Sequence, residues 1–397
     1  MRVLIADLFS LSHIESLKAQ GFEILYNDKL NGESLQAALS NFDPHVLVVR
    51  STKVQSNHFL VAKSLEAVIR AGSGYDTIDK SFANSRGVFV ANCPGKNAVA
   101  VAELTFGLIL AIDRRLISND IDLKQKKWNK GEFSSCKGLK GRTLGIIGYG
   151  NIGHEMATRA LAFDMNVLVF SRTKPNPQDS RVKVAESLDE LLATSDIVTL
   201  HLPPTSATKE MVNVDFLKKM KKDAVLINTS RGSLVVEKHL INHLNENPEF
   251  YCGTDVFLNE PAEKKGGFTN ELGLHPQVIG THHIGASTKQ AEDAIGQEAY
   301  RMLIEYQKTG VMPNCVNMGS GLKTNVLTMK YTNTTGFHDE LNSLFLKLKI
   351  KSLESKTEVF EGGNTGLCVM KMEDTGLKKE VDDGLKAIKD LVNYKWD

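Results

Sequence analysis

The sequence predicts an α/β architecture of two doubly wound parallel-sheet lobes followed by a small C-terminal α+β domain. Three observations predict it. Short apolar runs alternate with segments of helical spacing from Met1 to Ser287. A glycine-rich turn, TLGIIGYGNIG (Thr143–Gly153), stands mid-chain between a strand-like run and a helical one. From about Gly321 onward the order of segments changes to β-α-β-β-α-β.

In chain order, RVLIAD, FEILYN, HVLVVR, EAVIRAG and VFVANC read as strands up to about Pro94, with helical HIESLKAQ and LQAALS among them. This lobe lacks a glycine fingerprint and is assigned to substrate. A helix from Ala98 to Arg115 leads into the second lobe, whose strands are TLGIIG, NVLVF, DIVTLHL, DAVLINTS, EFYCGTDVF and QVIGTHH. The helix KQAEDAIGQEAYRMLIEYQKTG after Ser287 is expected to return to the first lobe. The domains are then 1–97 with 289–320 (substrate, flavodoxin-like), 98–288 (dinucleotide, Rossmann-like) and 321–397, with a ligand cleft between the two lobes. In the tail, NVLTMKYTN is strand-like and HDELNSLFLKLKI helical, KTEVFEGG and TGLCVMKM form a hairpin, KKEVDDGLKAIKDLV is helical and NYKWD closes the sheet. That order suggests a ferredoxin-like sandwich.

Composition excludes several classes of function. The 397 residues are 42% hydrophobic and 24% charged with net charge +1, which gives no electrostatic case for nucleic acid or an anionic membrane. The longest apolar stretch, Ala98 to Ile112, contains Glu103 and is too short to span a bilayer. MRVLIADLFS alternates like a first strand and lacks the apolar core of a signal peptide. Cys93, Cys136, Cys252, Cys315 and Cys368 are scattered, with no close pair for a disulfide or zinc site. A cytoplasmic enzyme without metal is expected.

The glycine turn carries the first chemical inference. Such a turn needs one glycine for the sharp bend, one for approach of the backbone to a pyrophosphate, and one for close helix–strand packing. Gly148, Gly150 and Gly153 supply them. The helix that follows offers free N–H groups and the positive end of its dipole to the phosphates. Glycine turns alone are common, but a strand before and a helix after point to a dinucleotide.

The motifs VVRSTKV (Val48–Val54), RAGSGYDTID (Arg70–Asp79), PGKN (Pro94–Asn97), GYGNIG, NTSRGSLVVE (Asn228–Glu237), DVFLNEP (Asp255–Pro261) and HHIGAST (His282–Thr288) follow one another in an order that resembles the D-isomer-specific 2-hydroxyacid dehydrogenases. The resemblance covers about Arg2 to Met318, and the run from His283 to Gly310 is similar to the phosphoglycerate branch of that family. The C-terminal piece looks like an ACT regulatory domain, with YTNTTGF (Tyr331–Phe337) in place of its first turn.

Hydride transfer between a secondary alcohol and nicotinamide needs a group that takes the hydroxyl proton, and imidazole suits the role. His283 is the candidate, with Glu260 as the carboxylate that raises its basicity and fixes its tautomer. Arg231, just after DAVLINTS, is the guanidinium that holds a substrate carboxylate at two points. Alone, these are ordinary as a loop histidine, a capping acid and a surface ion pair; together, and in this order, they make a catalytic set. The family usually has proline before the catalytic histidine, and here His282 stands there. The Ile-Gly that follows selects His283.

By resemblance, Arg50, Ser51 and Lys53, with the backbone of Ser73 and Gly74, form a cradle for carboxylate and phosphate, and Asn97 marks a hinge and touches substrate. A second hinge is expected from Ser287 to Gln290. Further cofactor contacts implied by the family are Asn151, Ile152, Thr208, Thr229, Ser230, Asp255 and Gly285. The acidic residue expected to end the second strand is replaced by Ser171, followed by Arg172, Thr173 and Lys174, which favours NADP over NAD.

The activity implied is oxidation of 3-phosphoglycerate to 3-phosphohydroxypyruvate, the first step of serine biosynthesis. The alternatives are an NADPH-dependent glyoxylate or hydroxypyruvate reductase, and a nucleotide-sensing, corepressor-like binding protein. The tail is expected to take an amino-acid effector such as serine through Asn333 and Gly336, although Thr335 replaces a proline common before that glycine. A homodimer or homotetramer is expected, through the Ala98–Ile112 helix and Trp128.

Overall fold

The computed structural model describes residues 1–261, 266–318 and 324–396. They divide into two compact units, Met1–Asn317 and Met318–Asp397. The expected boundary at 320/321 and the final residue, Asp397, lie outside the described residues.

The first unit contains two sheets. Strands β1 (Arg2–Ile5), β2 (Glu23–Tyr26), β3 (Val46–Val49), β4 (Ala67–Arg70) and β5 (Phe89–Asn92) are all parallel, in the order β2-β1-β3-β4-β5. Helices α1 (Leu11–Ala19), α2 (Gly32–Phe42), α3 (Ser56–Val61) and α4 (Lys80–Ser85) alternate with them. This is the flavodoxin-like strand order. Because β3 and β4 are covered on both faces, they read as apolar runs, VLVV and the AVI that precedes Arg70.

Helices α5 (Ala98–Asp113) and α6 (Leu116–Lys124) lead to the second sheet. The sequence suggested one helix to Arg115. Arg115 instead takes a left-handed φ of 49° and breaks the chain into two helices. Strands β6 (Thr143–Ile147), β7 (Asn166–Phe170), β8 (Val182–Val184), β9 (Ile197–Leu200), β10 (Val225–Asn228), β11 (Tyr251–Thr254) and β12 (Val278–Gly280) pair in parallel, in the order β12-β11-β10-β9-β6-β7-β8. β8, only three residues long, has no counterpart in the sequence reading. Helices α7 (Asn151–Ala162), α8 (Leu188–Thr194), α9 (Val214–Lys219) and α10 (Glu237–Glu246) cover this sheet, and the strand order reverses at β6, where the glycine turn sits.

Helix α11 (Lys289–Thr309) returns to the first sheet, burying Ile295, Ala299, Met302 and Leu303 against Val3, Ile5 and Ile69. α5 packs on the second, through Ala102, Phe106 and Ile109 against Leu144 and Ile227. Asn97 and Thr288 cap these two helices at the points where the chain passes between the sheets.

The second unit consists of β13 (Thr324–Thr332), α12 (Thr335–Leu348), β14 (Ser352–Val359), β15 (Thr365–Glu373), α13 (Lys378–Leu385) and β16 (Leu391–Trp396). Its antiparallel order, β14-β15-β13-β16, is that of a ferredoxin-like sandwich. α13 stops at Leu385 rather than running to Val392, because Leu391 pairs with Tyr331 and begins β16, with Val392 at a register shift in that strand. The core forms where Met329, Tyr331, Cys368 and Met370 meet Phe337, Leu341 and Val381.

Candidate active site

The three glycines of the turn have three different reasons to be glycine. Gly148 has φ 98°, and a Cβ on it would lie 2.2 Å from the His201 carbonyl oxygen. A Cβ on Gly153 would lie 2.3 Å from the Gly148 oxygen, so helix and turn pack through this gap. Gly150, the α7 N-cap, faces open space with nothing within 4 Å. That space lies at the N-terminus of α7, where backbone N–H groups are unpaired and Asn151 and Ile152 form the first turn, and it suits a pyrophosphate. When bound there, a nicotinamide dinucleotide supplies the hydride acceptor.

Several expected cofactor contacts are otherwise engaged. The Thr229 hydroxyl meets that of Thr105 at 2.9 Å, and the Ser230 hydroxyl donates to the Leu200 carbonyl at 2.6 Å. The Thr208 hydroxyl donates to the Pro203 carbonyl at 2.6 Å and closes its own turn. Asp255 is buried, and its carboxylate accepts the Thr281 hydroxyl at 2.6 Å and the N–H groups of Ile284 and Gly285, each at 2.8 Å. It therefore holds the His283 loop in shape. Beyond β7, Ser171 is partly buried and Arg172, Thr173 and Lys174 are exposed.

The catalytic candidates come together at strand ends. His283 takes a left-handed φ of 52°, and its N–H donates to the Asp255 carbonyl at 2.8 Å. Its Nδ1 lies 2.6 Å from Glu260 Oε2, and among the described residues Nε2 has no partner. Glu260 Oε1 also accepts the Phe257 N–H at 2.9 Å. Burial works to raise the Glu260 pKa, but the His283 and Phe257 hydrogen bonds and the charge of Arg231 outweigh it and hold the carboxyl below its ordinary value. His282, beside it, is exposed.

Arg231 follows β10, where Asn228 Nδ2 binds its carbonyl at 2.9 Å. Its guanidinium meets Asp76, from the loop after β4, through Nε at 3.1 Å and Nη2 at 2.8 Å. Nη1 donates to the Ser230 carbonyl at 2.8 Å.

Sequence reasoning passed over three residues of the first lobe. Asp7 is buried, and its carboxylate accepts the N–H groups of Arg50, Ser51 and Thr52 at 2.7, 3.1 and 3.0 Å. It also accepts the Ser51 hydroxyl at 3.0 Å, so Ser51, expected to touch substrate, also shapes the loop that carries Arg50. Arg70 lies close to Arg231 and Arg50; burial first, then these two charges, pull its pKa down to about 10. Its Nε is buried without a partner among the described residues, and a Cβ on Gly72 would lie 1.6 Å from Nη1. Asp76 is the third. In RAGSGYDTID the sequence points to the backbone of Ser73 and Gly74, yet its arginine and first aspartate carry the charge.

Arg50 reaches Glu292 at 2.8 Å and the Ala286 carbonyl at 3.4 Å. The Ser73 hydroxyl donates to Asn97 Oδ1 at 2.5 Å, which ties the glycine loop to the start of α5. Lys53 is exposed. The cluster thus offers an acid–base imidazole beside a group of guanidinium side chains, a combination suited to acid–base chemistry on an anionic substrate.

Residues 106–285 match the model of the D-isomer specific 2-hydroxyacid dehydrogenase NAD binding domain. Over 273 residues the chain is 38% identical to a hydroxypyruvate reductase of Thermotoga maritima, covering 68% of this chain and 87% of the relative. This chain belongs to the D-isomer-specific 2-hydroxyacid dehydrogenase family. The dehydrogenase is also 33% identical over 361 residues to a D-3-phosphoglycerate dehydrogenase of Bacillus subtilis, covering 90% of this chain and 67% of the relative. It spans 60% of the length of other curated phosphoglycerate dehydrogenases that it matches. Among solved structures, an acyclic imino acid reductase in complex with NADPH and D-Arg is similar, with a TM-score of 0.70 and 27% identity over 80% of this dehydrogenase and 100% of that chain. Among the described residues no helix is long and apolar enough to cross a membrane.

Proposed function

We propose that this dehydrogenase oxidises 3-phosphoglycerate to 3-phosphohydroxypyruvate, the reaction that opens serine biosynthesis. The observation that carries the reading is the convergence of three arginines at the end of β4: Arg70 pairs in register with Val49, next to Arg50, and Arg231 reaches Gly74 and Asp76 in the loop that follows. A substrate with both a carboxylate and a phosphate balances such a group better than a monoanion does. The B. subtilis alignment also supports the reading, because its 90% coverage of this chain extends past the first unit into the C-terminal sandwich.

In this reading Arg231 holds the substrate carboxylate, Arg50 and Arg70 hold the phosphate with Lys53 nearby, and the backbone of Ser73 and Gly74 closes the cradle. His283 Nε2 takes the hydroxyl proton as the C–H hydride leaves for the nicotinamide, and Glu260 stabilises the imidazolium through Nδ1. Asn97 is a hinge. Residues 1–97 and 289–320 act as the substrate domain and 98–288 as the dinucleotide domain. NADP is the preferred cofactor, since Arg172 and Lys174 follow Ser171 where an acid would select NAD.

The 321–397 segment is proposed as an ACT-like domain that binds an amino acid such as serine near Asn333 and Gly336. The dehydrogenase is proposed to be cytoplasmic and to assemble as a homodimer or homotetramer. Leu116, Ile117, Ile121 and Leu123 are exposed around α6, and Trp128 is 80% exposed, which supports an interface there.

A reductase acting on glyoxylate or hydroxypyruvate is the second reading, favoured by the 38% identity to the T. maritima enzyme. Initial rates with 3-phosphoglycerate, glycerate, glyoxylate, hydroxypyruvate and lactate test both. A clear preference for the phosphorylated acid supports the first, and its absence removes it. Calorimetry with serine and glycine tests the effector, which no heat with either would dispose of.

A further inference from the structure

Asp76 and Arg231 are 155 residues apart and follow strands of the two different sheets of the first unit, yet they meet as a two-pronged fork at 2.8 and 3.1 Å. The loop that carries Asp76 is cut to admit the guanidinium, since a Cβ on Gly74 would lie 2.0 Å from Arg231 Nη2 and 3.0 Å from Asp76 Oδ1. The pair is partly exposed, with side-chain exposures of 26% for Arg231 and 44% for Asp76. Ion pairs so exposed contribute little to folding. Both the glycine slot and the two-point geometry are thus better explained by orientation than by stability.

The edge of the guanidinium that Asp76 occupies decides what remains for substrate. Nε and one N–H of Nη2 are taken, and Nη1 gives one N–H to the Ser230 carbonyl. One N–H on each of Nη1 and Nη2 is left, on a single edge with the spacing of a carboxylate. Without Asp76, Arg231 keeps only the Ser230 carbonyl of these partners, so its plane is free to turn about that one bond.

The geometry points to Asp76 as a positioning residue, which sets the plane of Arg231 so that its free edge meets the substrate carboxylate while tying the loop after β4 to the end of β10. This rests on the proposed dehydrogenase reading of the site. Asp76 touches neither the reacting atoms nor the cofactor and acts through Arg231.

The test is the full-length chain with Asp76→Asn and, separately, Gly74→Ala, assayed on whichever 2-hydroxy or 2-oxo acid the parent turns over best. Misplacing Arg231 should lower kcat by about ten- to a hundredfold. KM for the anionic acid should stay level or fall in Asp76→Asn, because the site has lost a negative charge. NADPH affinity and Tm should match the parent. A kcat within twofold of the parent in both variants, or KM rising in step with a lowered Tm, overturns the proposal. A crystal structure of Asp76→Asn decides independently of turnover: Arg231 turned from its present plane supports the assignment, and an unmoved guanidinium overturns it. If the parent turns over none of the acids, the dehydrogenase reading fails and the crystallographic result still judges Asp76.

Discussion

His283 Nδ1 stands 2.6 Å from Glu260 Oε2, which fixes the nitrogen that faces the carboxylate and leaves Nε2 for the substrate hydroxyl. The backbone supports this, since His283 sits at φ 52° on a loop anchored to Asp255. His283→Ala should lower kcat by about 10²–10⁴-fold with little change in NADPH affinity. His282→Ala should keep kcat within about twofold, as expected for an exposed surface change. The reverse pattern would move the catalytic role to His282.

Glu260→Gln tests the other half of the pair. The carboxyl is held below its ordinary value, so its contribution is complete above that value and is lost as pH falls through the lowered one. At neutral pH the substitution should reduce kcat/KM by roughly tenfold, the worth of one charge-assisted hydrogen bond. A substituted enzyme with unchanged kcat/KM would limit Glu260 to a structural role.

The glycine turn separates stability from binding. Gly148→Ala adds a left-handed backbone penalty to an overlap with the His201 carbonyl, and should destabilise the fold by more than about 2 kcal/mol. Gly150→Ala meets nothing within 4 Å, so Tm should hold. Its methyl group would instead stand where phosphate approaches, and the NADPH Kd should rise by roughly ten- to a hundredfold. Thermal melts and fluorescence titration of both variants check this, and equal effects on Tm would refute the division of roles.

What the sequence revealed, and what it hid, follow from the range of the interactions involved. The glycine turn, the strand runs and the hairpin of the second unit are written in neighbouring residues, and periodicity recovers them. β8 was missed because three residues, VKV, carry no period of their own. The roles of Asp7, Arg70 and Asp76 arise from partners brought close only by the fold: Ser51, 44 residues away, and Arg231, 155 residues away. The hydroxyls of Ser51, Thr229 and Ser230 carry intramolecular bonds that the sequence does not reveal, because a free hydroxyl and one bonded to a neighbour are spelled alike.

The proposed preference for NADP rests on the end of β7. Ser171→Asp places a carboxylate where ribose hydroxyls would otherwise be unrecognised and a 2′-phosphate would be repelled. The parent should give the higher kcat/KM with NADP, and the variant should shift the NADP to NAD ratio by roughly tenfold or more toward NAD. Parallel assays with both cofactors check it. A parent that uses NAD as well as or better than NADP overturns the preference.

His201 predicts how the first unit responds to acid. Its Nε2 lies 2.9 Å from the Thr199 hydroxyl, Nδ1 is buried without a partner among the described residues, and burial pulls the pKa down to about 3. Unfolded, the ring titrates near 6.5. Between these values the unfolded chain binds a proton that the folded one refuses, so stability is full above pH 6.5, declines as pH falls, and levels off near 3. Removing the ring with His201→Asn should flatten that decline by up to one proton. Denaturant midpoints from pH 7 to 4 measure it, and the same slope in both proteins would show that His201 already accepts a proton in the fold. Because the folded ring stays neutral across this range, the glycine turn that packs on the His201 carbonyl should keep its shape, and the NADPH affinity of the folded parent should not follow the loss of stability.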